Sequence, residues 1–83
     1  MSLEEHDWYW GAVDREVVCE ELEDRYDGTF IVRDGTTPPD KTLHVVYRGV
    51  TKHLKILVKS EGVGLSPDKL IFKSVVHLIN HFR

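Results

Sequence analysis

Arg33 directly follows the β-prone run Phe30, Ile31 and Val32, and Asp34, Gly35, Thr36 and Thr37 come next. A guanidinium keeps its proton in proteins, so it cannot be hidden cheaply. It must lie at the surface, be paired inside, or receive an anionic ligand. By residue type alone a surface position or an ion pair is the commoner outcome, and the loop that follows adds weight to the anion. Successive backbone N–H groups over residues 34–37 can turn inward as a nest, and the two threonine hydroxyls add donors. The planar arginine fork suits a phosphate dianion because it makes two parallel bonds to two oxygens. Each such bond is worth about 1.5–3 kcal/mol. An unpaired buried arginine costs several kcal/mol instead. Pro38 and Pro39 stiffen the far side of the loop, although a rigid hairpin link explains them equally well.

Other candidates are weaker. His77 and His81 stand one helical turn apart, which is a metal-ligand spacing, but no third ligand is evident, and polar decoration of a helix explains them more simply. His44 and His53 are strand residues that say little individually. Cys19 falls on an apolar helix stripe and reads as a small buried hydrophobe. There is no nucleotide-binding glycine loop, no nucleophile motif and no convincing carboxylate pair. The expectation is a binding protein rather than an enzyme, without cofactor or metal.

The 83 residues suit one domain with a modest core. Hydrophobic content of 41% and charged content of 30% are ordinary for a folded soluble chain. The net charge of −3 hides an asymmetry. Residues 1–40 hold twelve Asp and Glu against three Arg, whereas residues 41–83 hold eight Lys and Arg against Glu61 and Asp68. One part of the surface can therefore be basic, but a nucleic-acid protein would show a stronger basic excess. A single cysteine, no apolar run of membrane length and an acidic start without a signal core point to a cytoplasmic protein without a membrane span.

The elements that must position Arg33 follow from periodicity. Asp14 can cap a helix over about Arg15 to Tyr26, with Val18 and Leu22 on its apolar stripe and Cys19 and Tyr26 widening it. Thr29 to Arg33 is a strand with Phe30 and Val32 on one face, Ile31 and Arg33 on the other. Lys41 to Tyr47 and Lys52 to Lys59 are two further strands joined by a tight turn at Gly49. A second helix starts near Ser74 with Val75, Leu78, Ile79 and Phe82 as its stripe. The simplest solution is an α+β fold, a central three-stranded antiparallel sheet flanked by two helices.

"WYWG" at residues 8–11, then "DREVV", "DGTFIVRD", "KHLKI" and "SVVHLINHFR", together resemble a Src-homology-2 (SH2) domain over residues 8–83. Within that family the sequence is most similar to the domains of phosphoinositide 3-kinase regulatory subunits, the N-terminal one above all. The resemblance implies binding of phosphotyrosine in an extended peptide. By it, Arg33 holds the phosphate at the floor of a deep pocket, and Arg15 contacts phosphate and phenyl ring. Gly35, Thr36 and Thr37 form the phosphate loop, Lys55 flanks the ring, and His53 braces the strand beside the pocket. Leu54 stands where many relatives carry an aromatic residue. This favours an apolar residue, typically Met, three positions after phosphotyrosine.

Two departures accompany the resemblance. Gly35 replaces the usual Ser or Ala, which removes a hydroxyl donor. Arg83 falls at the end of the second helix, so the loop and closing strand of the family are expected to be missing from a single domain spanning 1–83, with 1–7 a flexible tail. An apolar edge exposed by that loss favours self-association. A lipid-kinase catalytic subunit becomes a further expected partner through segments outside the chain. The competing expectation is a degenerate SH2-like scaffold that makes phosphate-independent protein contacts.

Overall fold

The computed structural model describes residues 3–35 and 37–82. Its α+β architecture is the expected one, with two short strands added to the sheet. The strands are β1 (Tyr9–Gly11), β2 (Phe30–Asp34), β3 (Lys41–Tyr47), β4 (Val50–Lys59) and β5 (Gly62–Gly64), paired in that order. The helices are α1 (Arg15–Leu22) and α2 (Val75–Phe82). β2, β3 and β4 pair antiparallel, while β1 runs parallel to β2 along the edge. β1 and β5 have three residues each, too few for an alternating pattern to declare itself. The tail expected over residues 1–7 is structured from Leu3. Leu3–Glu5 makes one 3-10 turn, and Leu3 packs against the core.

The register of β3 and β4 follows from their turn. Arg48 and Gly49 both have positive φ, at 53° and 75°, so the connection is a two-residue mirror-image turn matched to strand twist. Tyr47 then faces Val50, and every later pair follows, through His44 with His53 to Lys41 with Ile56. A glycine suits the second turn position because φ > 0 brings it no Cβ clash.

Alternation divides the core between the two sheet faces. Val32, Leu43 and Ile56 pack with Trp8, Val63 and the α2 residues Val75, Leu78 and Ile79. Ile31 and Val46 pack on the other face with Val18 and Leu22 of α1. Two helix expectations need correction. α1 ends at Leu22 rather than near Tyr26, because the chain turns out of the helix at Glu23 and Asp24 takes φ of 62°. Tyr26 is therefore 90% exposed instead of widening the stripe. Asp14 occupies the N-cap position without a side-chain cap bond. At α2 the cap is real: the His77 backbone N–H donates to Ser74 Oγ at 3.1 Å. Phe82, expected on the buried stripe, is exposed, while Leu78 is fully buried.

The two α2 positions should separate in stability. Leu78→Ala is expected to cost about 2–5 kcal/mol, the range for emptying a packed core site. Phe82→Ala should stay within about 0.5 kcal/mol, as surface changes do. Urea unfolding of both variants checks this, and equal losses would contradict the packing described.

Candidate phosphate-binding site

Three strands and one helix assemble a polar patch on the α1 face of the sheet. Register lines up two neighbouring rows across β2, β3 and β4. One row is Ile31, His44 and His53, and the other is Arg33, Thr42 and Lys55. Residues 15, 18, 19 and 22 of α1 share the i, i+3, i+4, i+7 spacing of a single helix face. Val18 and Leu22 of that face cover Ile31 and Val46. Arg15 begins the same face, close enough to the two histidines to disfavour their protonation. The short helix leaves the row of Arg33 and Lys55 uncovered.

Arg33 is half-buried and rests on a neutral partner. Its Nε donates to His44 Nε2 at 2.9 Å, and one terminal nitrogen donates to the Asp34 backbone carbonyl at 3.1 Å. Among the described residues no carboxylate lies within ion-pair distance of it. Asp34 points elsewhere, accepting from Tyr9 and pairing with Lys41 Nζ at 2.9 Å, and these two bonds hold its pKa below the usual carboxylate value.

The tautomers of the two histidines follow from arginine's inability to accept. His44 Nε2 accepts from Arg33, so neutral His44 carries its proton on Nδ1. It donates that proton to His53 Nδ1 at 2.6 Å. His44 is fully buried, and burial pushes its pKa down from 6.5 to about 4, with His53, Arg33 and Arg15 adding to the effect. His53 is lowered as well, by partial desolvation first and then by Arg15 and Arg33.

Asp40 completes the rim. Its side chain is buried, and Oδ1 accepts from the Val58 backbone N–H at 2.9 Å. Oδ2 lies 3.6 Å from Lys55 Nζ and 3.8 Å from Lys59 Nζ. The Val58 bond, followed by the lysine charges, lowers the Asp40 pKa. Lys55 is thus beside the site but shared with an acid.

The expected residues fare differently. Arg15, Arg33, His53 and Lys55 come together on one face. Thr37 is exposed, and its carbonyl accepts from the Asp40 N–H at 3.0 Å. Thr36 lies outside the described residues. The nest needs correction at Gly35: its N–H donates to the Asp40 carbonyl at 3.0 Å and so is spent within the loop. A Cβ at Gly35 would stand 2.9 Å from that same carbonyl oxygen, so this close backbone approach favours glycine over Ser or Ala. Leu54 faces Leu43 on the opposite, α2 side of the sheet and is 41% exposed. His77 and His81 pack edge-on or tilted against Phe72, as decoration of α2.

Sequence reasoning missed His44, Thr42 and Asp40. A signal for His44 existed. The two-residue turn at 48–49 pairs residues whose numbers sum to 97, which sets His44 against His53; on β2 His44 meets Ile31, two residues and one same-face step from Arg33. Asp40 gives no such signal, because its partner Val58 is fixed only by the folded loop.

Residues 8–82 match the family model of the SH2 domain, and the chain belongs to that family of phosphotyrosine-binding signalling modules. It is 40% identical over 81 residues to SHC-transforming protein 2 of Homo sapiens, covering 96% of this chain and 13% of that protein. It is 30% identical to the transforming tyrosine-protein kinase Abl of Abelson murine leukemia virus, covering 96% and 11%. It is 28% identical to protein vav-1 of Caenorhabditis elegans, covering 99% and 8%. The chain thus spans about an eighth or less of these relatives. The SH2 domain is a binding domain, and the kinases among the relatives carry catalytic domains of their own. The likeness to phosphoinositide 3-kinase regulatory subunits gains no support from these relatives. No helix among the described residues is long and apolar enough to cross a membrane.

The buried imidazole makes stability depend on pH. His44 has a lower pKa folded than the 6.5 of an unperturbed histidine, so the unfolded chain binds more protons. Its contribution is complete above about pH 6.5 and is lost as the pH falls from there through about 4. Urea midpoints should fall over that window. The His44 ring protons should titrate near 4 by NMR, and a midpoint near 6.5 would contradict the burial described.

Proposed function

We propose that this chain binds phosphotyrosine in an extended peptide through the Arg33 face. The observation that carries the reading is the state of Arg33: half-buried, oriented by His44, and uncancelled by any carboxylate among the described residues. A phosphotyrosine brings roughly −1.5 to −2 charge on a long rigid arm. Arg33 receives the phosphate by a charge-assisted fork, and Arg15 approaches from the helix. Lys55 exchanges its loose contact with Asp40 for the ligand. His53 braces β4, and Gly35, Thr36 and Thr37 shape the loop around the anion. No bond is made or broken, so the work is recognition and recruitment. One domain suffices for it.

Specificity beyond the phosphotyrosine is assigned to the exposed aliphatic Leu54. It favours an apolar residue such as Met three positions on, and a peptide panel varied at that position tests this. A lipid-kinase catalytic subunit as partner rests on the likeness to kinase regulatory subunits alone. Self-association has its own support in an apolar hollow of about 410 Å³ lined by Phe30, Leu43, Val45, Ile79 and Phe82. The competing reading is a scaffold domain that makes phosphate-independent contacts. It is favoured by the spent Gly35 N–H and by the sharing of Lys55 with Asp40.

Calorimetric titration separates the two readings. A phosphotyrosine peptide should bind and its unphosphorylated form should not. Arg33→Ala should weaken binding by about 3 kcal/mol or more, the scale for removing one partner of a buried charge pair, which is over about 100-fold. Equal affinity for the two peptides, or an indifferent Arg33→Ala variant, would favour the scaffold.

A further inference from the structure

We propose that Cys19, His44 and His53 form a metal-ion site, suited to zinc or a similar divalent cation, beneath the Arg33 face. Three elements deliver the ligands: the sheet-facing stripe of α1, strand β3, and the residue cross-strand to His44 on β4. One ligand atom from each side chain lies within 4.8 Å of the other two. Imidazole nitrogen and thiolate sulfur are zinc's preferred ligands, at about 2.0–2.1 Å and about 2.3 Å. Tetrahedral ligands at those lengths stand about 3.3–3.6 Å apart. Shifts of about 1 Å, with the histidine pair opening and the sulfur closing in, would reach that spacing from the present arrangement.

The histidine pair supplies a second argument. Two ring nitrogens face each other at 2.6 Å, an approach that two bare lone pairs would repel. A proton or a cation must lie between them. In the metal-free protein it is the proton on His44 Nδ1. A metal ion takes its place by binding both Nδ1 atoms and the Cys19 sulfur. The thiol proton then leaves to solvent, and the His44 proton moves from Nδ1 to Nε2, so one proton is released per metal bound.

The protonated Nε2 no longer accepts from Arg33, whose Nε–H is freed for another acceptor. Metal occupancy and the Arg33–His44 bond are therefore mutually exclusive. Arg15 and Arg33 oppose a dication, and the thiolate offsets one of its charges. The site is consequently weaker than a four-ligand structural zinc site and keeps a fourth position for water or an anion.

Cobalt titration of the reduced, metal-stripped chain tests the assignment. One equivalent of Co²⁺ should bind with a near-ultraviolet thiolate-to-cobalt band and tetrahedral visible bands, and added Zn²⁺ should bleach both. Cys19→Ser should abolish the thiolate band. His53→Gln, at an exposed position, should weaken cobalt binding at least tenfold, while His77→Ala on α2 should leave it unchanged. The proposal is overturned by the lack of a saturable band, by a band that survives Cys19→Ser, or by unchanged affinity in His53→Gln. If the proton alone holds the histidine pair, cobalt will leave the spectrum of the wild-type chain featureless.

Discussion

A permanent cation held by a neutral imidazole is the interaction on which the rest of this structure depends. An acid in place of His44 would have cancelled the Arg33 charge and closed the site as an internal ion pair. His44 accepts one bond from Arg33 Nε and donates its own Nδ1–H to His53 Nδ1, so it orients the guanidinium and leaves its charge intact. That role requires a neutral ring, and burial between α1 and the sheet, beside two arginines, keeps it neutral. The acids nearby are committed elsewhere: Asp34 to Tyr9 and Lys41, Asp40 to the Val58 amide and two lysines. Among the described residues neither acid forms an ion pair with Arg33.

The scaffold serves the same end. The tight turn at Arg48 and Gly49 fixes the β3–β4 register, and a shift of one residue would carry His44 and Thr42 to the opposite face. Val18 and Leu22 anchor α1 over Ile31 and Val46, which is enough to bury His44 and too little to cover Arg33. The close approach of Gly35 to the Asp40 carbonyl shapes the loop beside the arginine. Its cost is one N–H that cannot serve an anion directly.

Much of this was legible in the chain. The alternation from Phe30 to Arg33 assigned faces that the two core clusters reproduce, and β3 runs from Lys41 to Tyr47 as its pattern predicts. Strands of three residues carry no period, so β1 and β5 stayed hidden. Tyr26 was misplaced because apolar spacing continues past the point where the backbone leaves the helix. His44 was overlooked because a lone strand histidine has no pattern of its own. Its meaning comes from two neighbours, one on each adjacent strand, brought together by register. The resemblance to SH2 domains located the arginine, whereas its neutral partner became visible only in the folded register.

The most direct test of that partnership is the nitrogen spectrum of the imidazole rings at neutral pH, in the free chain and with a phosphotyrosine peptide bound. The structure predicts a His44 protonated on Nδ1, with Nε2 bare and hydrogen-bonded to Arg33 Nε, and the same tautomer after binding. A His44 protonated on Nε2, or on both nitrogens, in the metal-free chain would contradict it, because Arg33 would then have no acceptor to hold it in place.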